Sequence, residues 1–269
     1  MAYRMIFSDM DGTLLKSVSE ISENNIKMIQ KAVDKGTEFV ICTGRGVYGV
    51  ERFLEQLHLI GREGYVICQN GAAVYDLRHM NLVLRHHFSA EDLRPVVECA
   101  RRKDIEVYLY DDRTFLAEAE TEQTRKYCRI MGADMRILPD GLSYDGYFTK
   151  CLLSASHEKL QALREEVEPL VQDRLSMFYS GPNYLEFVKK GVNKGRALEE
   201  TAEKAGIPLG EVIAIGDSDN DLSMIQTAGL GVAVANAPDH IKEWADFVTT
   251  RTCEEDAVAE VIEKFILEA

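Results

Sequence analysis

The chain has 269 residues, enough for one large domain or two modest ones, with 46% hydrophobic and 28% charged residues, the balance of a globular protein. Its formal net charge of −14 argues against a general nucleic-acid binder, which needs a basic surface. It leaves room for an anionic small substrate held by a few local cations and a metal.

Other global features narrow the setting. The six cysteines are scattered and contain no C-x-x-C pair. The opening apolar stretch, Met5-Ile6-Phe7, is too short for a secretory signal and runs into Asp9. No apolar run approaches the ~18 residues of a membrane span. A cytoplasmic protein with free thiols is therefore expected.

The first third alternates strand and helix. Residues 5–8 form a short apolar strand, and 22–35 repeat Ile26, Ile29, Ala32 and Val33 at helical spacing, with Ser22 as N-cap and Gly36 as stop. Residues 39–42 form a continuous apolar run, the pattern of a strand buried on both faces of a parallel sheet. A helix over 47–57 and a third buried strand over 65–68 follow, closed by Asn70-Gly71. This alternation predicts a parallel sheet with right-handed crossovers.

The middle reads differently. Residues 82–88 alternate like a half-exposed strand, and 90–103 are helical. Residues 105–110 and 114–119 flank Asp111-Asp112-Arg113 as a hairpin. A helix over 121–130, a strand over 147–154 and a helix over 157–171 follow. A second hairpin, 175–179 with 184–188, turns at Gly181-Pro182-Asn183. Helices paired with hairpins predict an α+β module.

From Asn193 the first pattern returns. A helix over 194–205 ends at Gly206, and strands are expected at 212–215 and 230–234. A short helix spans 219–227, and a last helix runs over 254–267. The expected architecture is a doubly wound, Rossmann-like α/β core, residues 1–81 and 189–269, interrupted by an inserted α+β cap at 82–188.

Four segments place polar residues at a strand end or a helix start. Ligands of open α/β sheets bind outside the carboxyl ends of strands, so these segments converge on one site. In the first, Asp9 and Asp11 are separated by one residue and followed by Gly12 and Thr13. Residues two apart in a strand point to the same side, so two acids facing one site are expected. The plain alternative is an Asp-Gly turn.

At Thr43-Gly44-Arg45, a hydroxyl and a backbone N–H at a helix start suit a phosphate, or Thr43 is an ordinary N-cap. Lys194 opens a helix, where its charge opposes the dipole unless an anion is bound, or else it is a solvated surface lysine. Gly216-Asp217-Ser218-Asp219-Asn220-Asp221 sets three acids in five residues. That run is either a cage for a hard cation or an acidic helix N-terminus. Taken together, the segments supply what metal-assisted phosphoryl transfer requires.

In order, Asp9-Met10-Asp11-Gly12-Thr13-Leu14, Thr43-Gly44-Arg45, Lys194 and Gly216-Asp217-Ser218-Asp219-Asn220-Asp221 resemble the four motifs of the haloacid dehalogenase superfamily. The insert, together with Asn70-Gly71-Ala72 before it and Gly191-Val192-Asn193-Lys194-Gly195 after it, resembles the Cof-type subfamily of sugar phosphatases with a large α/β cap. The resemblance implies Asp9 as nucleophile, forming an aspartyl-phosphate, and Asp11 as general acid and base. It implies that Thr43, the Gly44 N–H, the Met10 N–H, Lys194 and Asn220 hold the phosphoryl group. It also implies Mg²⁺ held by Asp9, the Asp11 backbone carbonyl and Asp217, with Asp221 binding directly or through water.

The implied substrate is a small phosphorylated metabolite, such as a sugar phosphate, and the implied assembly a monomer or homodimer. The cap is expected to choose the substrate. Asp111, Asp112 and Arg113 are read as a solvated turn rather than a sugar contact, and the cap tyrosines as half-buried sheet residues. The competing functions are a phosphotransferase or mutase that passes the phosphoryl group to a second hydroxyl, a regulator that binds a phosphometabolite without turnover, and a receiver-like acidic pocket phosphorylated by a kinase.

Overall fold

The computed structural model describes residues 2–16 and 20–268, and in it the apolar runs become strands of one eight-stranded sheet. The strand order is Phe247–Val248, Leu230–Ala233, Val212–Gly216, Met5–Ser8, Glu38–Cys42, Tyr65–Cys68, Ala73–Asp76, Leu82–Arg85. The first six are parallel, and Ala73–Asp76 returns antiparallel to Tyr65–Cys68. Every residue of Met5–Ser8 and Val212–Gly216 is buried, as their mainly apolar sequence requires.

Connections run in opposite directions on the two sides of Met5–Ser8. Helix Glu23–Asp34 carries the chain to Glu38–Cys42, while Leu222–Thr227 carries it the other way, from Val212–Gly216 to Leu230–Ala233. Right-handed crossovers in opposite directions put these helices on opposite faces. Glu23–Asp34 packs with Ala257–Ile262, and Leu222–Thr227 with Lys194–Ala205. The switch in direction beside Met5–Ser8 opens the sheet there, where such folds bind ligands.

Local signals fix several helix ends. The Ser22 side chain accepts from Asn25 N–H, and Gly206, at φ 68°, ends Lys194–Ala205 in the left-handed conformation. Three helices differ from expectation; in one, the 219–227 segment, Asp219–Asp221 is a 3₁₀ turn ahead of the α-helix Leu222–Thr227. The 47–57 segment is a 3₁₀ turn, Val47–Gly49, followed by a short α-helix, Glu51–Gln56, because its opening Val-Tyr-Gly is a poor helix former. The 254–267 segment is a 3₁₀ turn, an α-helix over Ala257–Ile262 and a π turn, divided at Asp256, whose φ is 70°.

By its internal contacts the chain forms two units. One comprises Met1–Gly44, Val50–Val83 and Asn193–Ala269; the other comprises Arg45–Gly49 and Leu84–Val192. The second is built on a six-stranded sheet, in the order Leu175–Gly181, Tyr184–Lys189, Lys150–Ser154, Glu106–Tyr110, Phe115–Ala117, Met135–Ile137. Its pairings are antiparallel except the last. Period-two alternation splits its faces. Val107, Leu109, Cys151, Leu153, Leu185 and Phe187 pack with helices Ala90–Arg102 and His157–Val171. Tyr108, Tyr110, Phe115 and Leu152 cluster with Tyr127 on the other face.

The expected strand over 147–154 is two strands, Tyr147–Phe148, paired with Phe88–Ser89, and Lys150–Ser154. Ala73–Asp76 and Met135–Ile137 are strands that the hydrophobic pattern did not predict; each is only three or four residues long.

Candidate active site

The site begins where Met5–Ser8 ends. Asp9 is 5% exposed, and its N–H donates to the Ile215 carbonyl at 2.9 Å, the last rung toward the neighbouring strand. The chain then turns, and the N–H groups of Leu14 and Leu15 both donate to the Met10 carbonyl. Asp11 lies in this turn and is exposed. Asp9 and Asp11 thus both lie beyond the strand and differ in burial. The strand stops at Ser8, so the two-residue period does not extend to Asp11, and the acids occupy different surroundings.

Gly12 makes the turn possible. Its φ is 84°, and a Cβ there would lie 2.6 Å from Asp217 Oδ2. Thr13, fully buried, donates from Oγ1 to Asp217 Oδ1 at 2.8 Å. Asp9, Asp217 and Asp221 each offer a carboxylate oxygen within 4.8 Å of the others; the Asp11 carboxylate is not part of this group.

Lys194 joins the acids. It is fully buried at the start of helix Lys194–Ala205, and Nζ donates to Asp9 Oδ1 at 2.5 Å and to Asp221 Oδ1 at 2.6 Å. Close backbone approach brings it there. A Cβ on Gly195 would meet the Ser223 carbonyl at 2.5 Å, and one on Gly71 would meet the Asn193 carbonyl at 2.5 Å. The surface-lysine alternative is thus excluded. Asp221 is committed on both oxygens, since Oδ2 also accepts the Asp217 and Ser218 N–H groups at 3.0 Å each.

The charges are unbalanced. Burial, then repulsion from Asp221, pushes Asp9 well above the usual carboxylate range, and Lys194 only partly offsets this. Asp217 is pushed up to about 6 by burial and Asp221. Burial alone would lower the Lys194 pKa, but Asp221 and Asp9 outweigh it and hold the ammonium charged. Three carboxylates around one ammonium leave excess negative charge in a mostly buried place. A hard divalent cation, which takes carboxylate, carbonyl and water oxygens, fits that donor set.

The remaining candidates surround this group. Thr43 is 1% exposed; its N–H donates to Ile67, and its carbonyl accepts from Asn70 N–H. Asn220 Nδ2 donates to Asn70 Oδ1 at 3.0 Å, and a Cβ on Gly44 would lie 3.1 Å from that same oxygen. Asn70 therefore links the Thr43-Gly44 turn to Asn220, a role that the sequence reading, which named it only within Asn70-Gly71-Ala72, did not assign. Only the structure reveals the strain there: Gln69 and Asn70 both have positive φ, at 53° and 56°, conformations that cost energy outside glycine and cluster at functional sites. Met10 is fully buried.

In the inserted unit, Asp111 Oδ1 accepts the N–H groups of Arg113 and Thr114, a side-chain-closed turn. Tyr108 and Tyr110 are buried in the sheet. Among the described residues no helix is long and apolar enough to cross a membrane.

Comparison with known proteins agrees with this geometry. A family model described as haloacid dehalogenase-like hydrolase matches residues 6–262. YxeH of Bacillus subtilis, named a phosphatase without a substrate, is 31% identical over 98% of this chain and 99% of its own. YcsE of the same organism, named a 5-amino-6-(5-phospho-D-ribitylamino)uracil phosphatase, is 33% identical over 98% and 96%. The crystal structure of a haloacid dehalogenase-like hydrolase from Bacteroides thetaiotaomicron superposes with a TM-score of 0.90, at 32% identity, over 97% of this chain and 99% of that one.

Proposed function

Since the chain belongs to the haloacid dehalogenase-like hydrolases and is a phosphatase of that superfamily, we propose that it hydrolyses small phosphomonoesters, sugar phosphates and related metabolites, with Mg²⁺ and through an aspartyl-phosphate on Asp9. The observation that carries this reading is the buried Lys194 ammonium shared by Asp9 and Asp221 beside Asp217. No structural role needs that arrangement, since a well-packed apolar group would be at least as stable.

Lys194 holds Asp9 Oδ1, which leaves Oδ2 to attack phosphorus as the bond to the leaving oxygen breaks. Asp11, exposed beside it, gives its proton to the departing alkoxide. It then takes a proton from water, which attacks the phosphorus of the aspartyl-phosphate and frees inorganic phosphate and the Asp9 carboxylate. Thr43, the Gly44 and Met10 N–H groups, Lys194 and Asn220 hold the phosphoryl oxygens. Asp9, the Asp11 carbonyl and Asp217 would hold Mg²⁺, with Asp221, already committed to Lys194 and the loop N–H groups, supporting them. When bound, the cation offsets the repulsion between a carboxylate nucleophile and a phosphate dianion.

Choice of leaving group is assigned to the inserted unit, none of whose elements carries the acid–lysine group. The phosphorylated ribityl chain in the name of YcsE supports a primary-alcohol phosphate on a polyol as one substrate class. The test is phosphate release from a panel of sugar, polyol and nucleotide monoesters with Mg²⁺. Wild-type protein is expected to turn over several members and Asp9→Asn none. Near-normal activity in Asp9→Asn would overturn the assignment.

A further inference from the structure

Asn236 is exposed, yet both ends of its amide are taken by main chain from distant parts of the sequence. Nδ2 donates to the Gly12 carbonyl at 2.8 Å, across 224 residues, and Oδ1 accepts the Cys253 N–H at 2.8 Å. The residue stands on a fixed base. Val234 N–H donates to the Gly216 carbonyl, Ala235 N–H to the Thr249 hydroxyl, and Ala237 N–H to the Val234 carbonyl.

Gly12 is the one position in the Asp9–Thr13 turn with no Cβ, so sterics alone do not hold its torsions. Rotation there would swing the peptide that carries the Asp11 carbonyl. It would also shift the gap into which Asp217 Oδ2 fits, where a Cβ would come within 2.6 Å. On the Thr13 side, the hydroxyl is already tied to Asp217. The Gly12 carbonyl is held from outside the loop by Asn236. We propose that Asn236 is a positioning residue that, anchored by the Cys253 N–H, locks the Gly12 peptide and so presets the Asp11 carbonyl and Asp217 for the metal. The proposal rests on the reading of the site given above.

The anchor has its own clean variant. Cys253 is the first residue of a 3₁₀ turn, and Thr252 before it is extended, at φ −82° and ψ 172°. Proline is tolerated at that first position and accepts an extended residue before it. Cys253→Pro therefore deletes the N–H that Asn236 uses and leaves the turn standing. Asn236→Asp keeps the acceptor for Cys253 but loses the donor to Gly12.

The experiment measures Mg²⁺ binding by calorimetry without substrate, together with kcat, KM and the melting temperature without metal, for wild type and the three variants. Asn236→Ala and Asn236→Asp are expected to weaken Mg²⁺ binding about five- to tenfold, the size of one hydrogen bond, and to lower kcat more than they raise KM. Cys253→Pro is expected to shift Mg²⁺ binding in the same direction. If the variants melt earlier but bind Mg²⁺ and turn over as the wild type does, Asn236 is a structural tie only and the proposal is overturned. If the wild type neither binds Mg²⁺ nor hydrolyses any ester, the reading of the site fails, and the proposal with it. If the wild type does both and Asn236→Ala matches it, the proposal alone fails.

Discussion

Lys194 has no exposed surface, and both of its short hydrogen bonds end on buried carboxylates. Its removal leaves Asp9 and Asp221 facing each other without a cation. Lys194→Met is expected to destabilise the metal-free protein by about 3–5 kcal/mol, the cost of breaking a buried ion pair from one side. Activity should fall at least about a hundredfold, as when a preorganised electrostatic group is lost. Denaturant titration and phosphate release check both. At this scale the sequence was readable wherever a polar residue ends an apolar run, as at Asp9, Thr43 and Asp217. Asp11 was harder to read because it lies past the strand end at Ser8, where the two-residue period no longer fixes a side chain's direction. Asn70 and Asn236 were unreadable as partners because an amide that binds a remote carbonyl or amide leaves no local pattern.

Strand Glu38–Cys42 carries a liability at its start, away from the acid–lysine group. Glu38 Oε2 is buried without a hydrogen-bond partner, and burial raises its pKa above 4.5, opposed by Arg4 and aided by Glu63. A raised folded pKa means that the folded chain binds the proton more tightly than the unfolded one. The stability this lends is complete below the unfolded value of 4.5 and is lost as pH rises through the folded value. Glu38→Gln is therefore expected to raise the melting temperature by about 2–4 °C at pH 7.5, and the gain should vanish near pH 4. A gain that persists unchanged at low pH would show that charge is not the cause. Long elements were legible because their apolar period repeats. The C-terminal helix was expected in one piece because Asp256 looks like any other helical position, and only its left-handed φ reveals the break.

For the molecule as a whole, the connectivity keeps the acid–lysine group within one unit. The acid–lysine group is assembled from residues 9, 194, 217 and 221 of one unit, while Leu84–Val192 contributes none of them. Exchange of that segment for the corresponding one of YcsE is expected to reorder substrate preference in a panel of esters while the requirement for Asp9 and Lys194 persists. An unchanged order would place the choice of leaving group in the parallel-sheet unit. The alternation of strand and helix made the parallel sheet legible from sequence. Its short antiparallel strand Ala73–Asp76 was hidden, because it follows Tyr65–Cys68 with no α-helix between, outside the alternation that revealed the parallel strands.

The most direct measurement is acid-quench mass spectrometry of the protein during turnover with Mg²⁺ and a good ester, in wild type and in Asp11→Asn, where slower breakdown should accumulate the intermediate. The expected result is one added phosphoryl group on the peptide containing Asp9, more abundant in Asp11→Asn and absent in Asp9→Asn. Phosphate release with no phosphoryl group on that peptide in any variant, or one that persists in Asp9→Asn, would contradict Asp9 as the nucleophile.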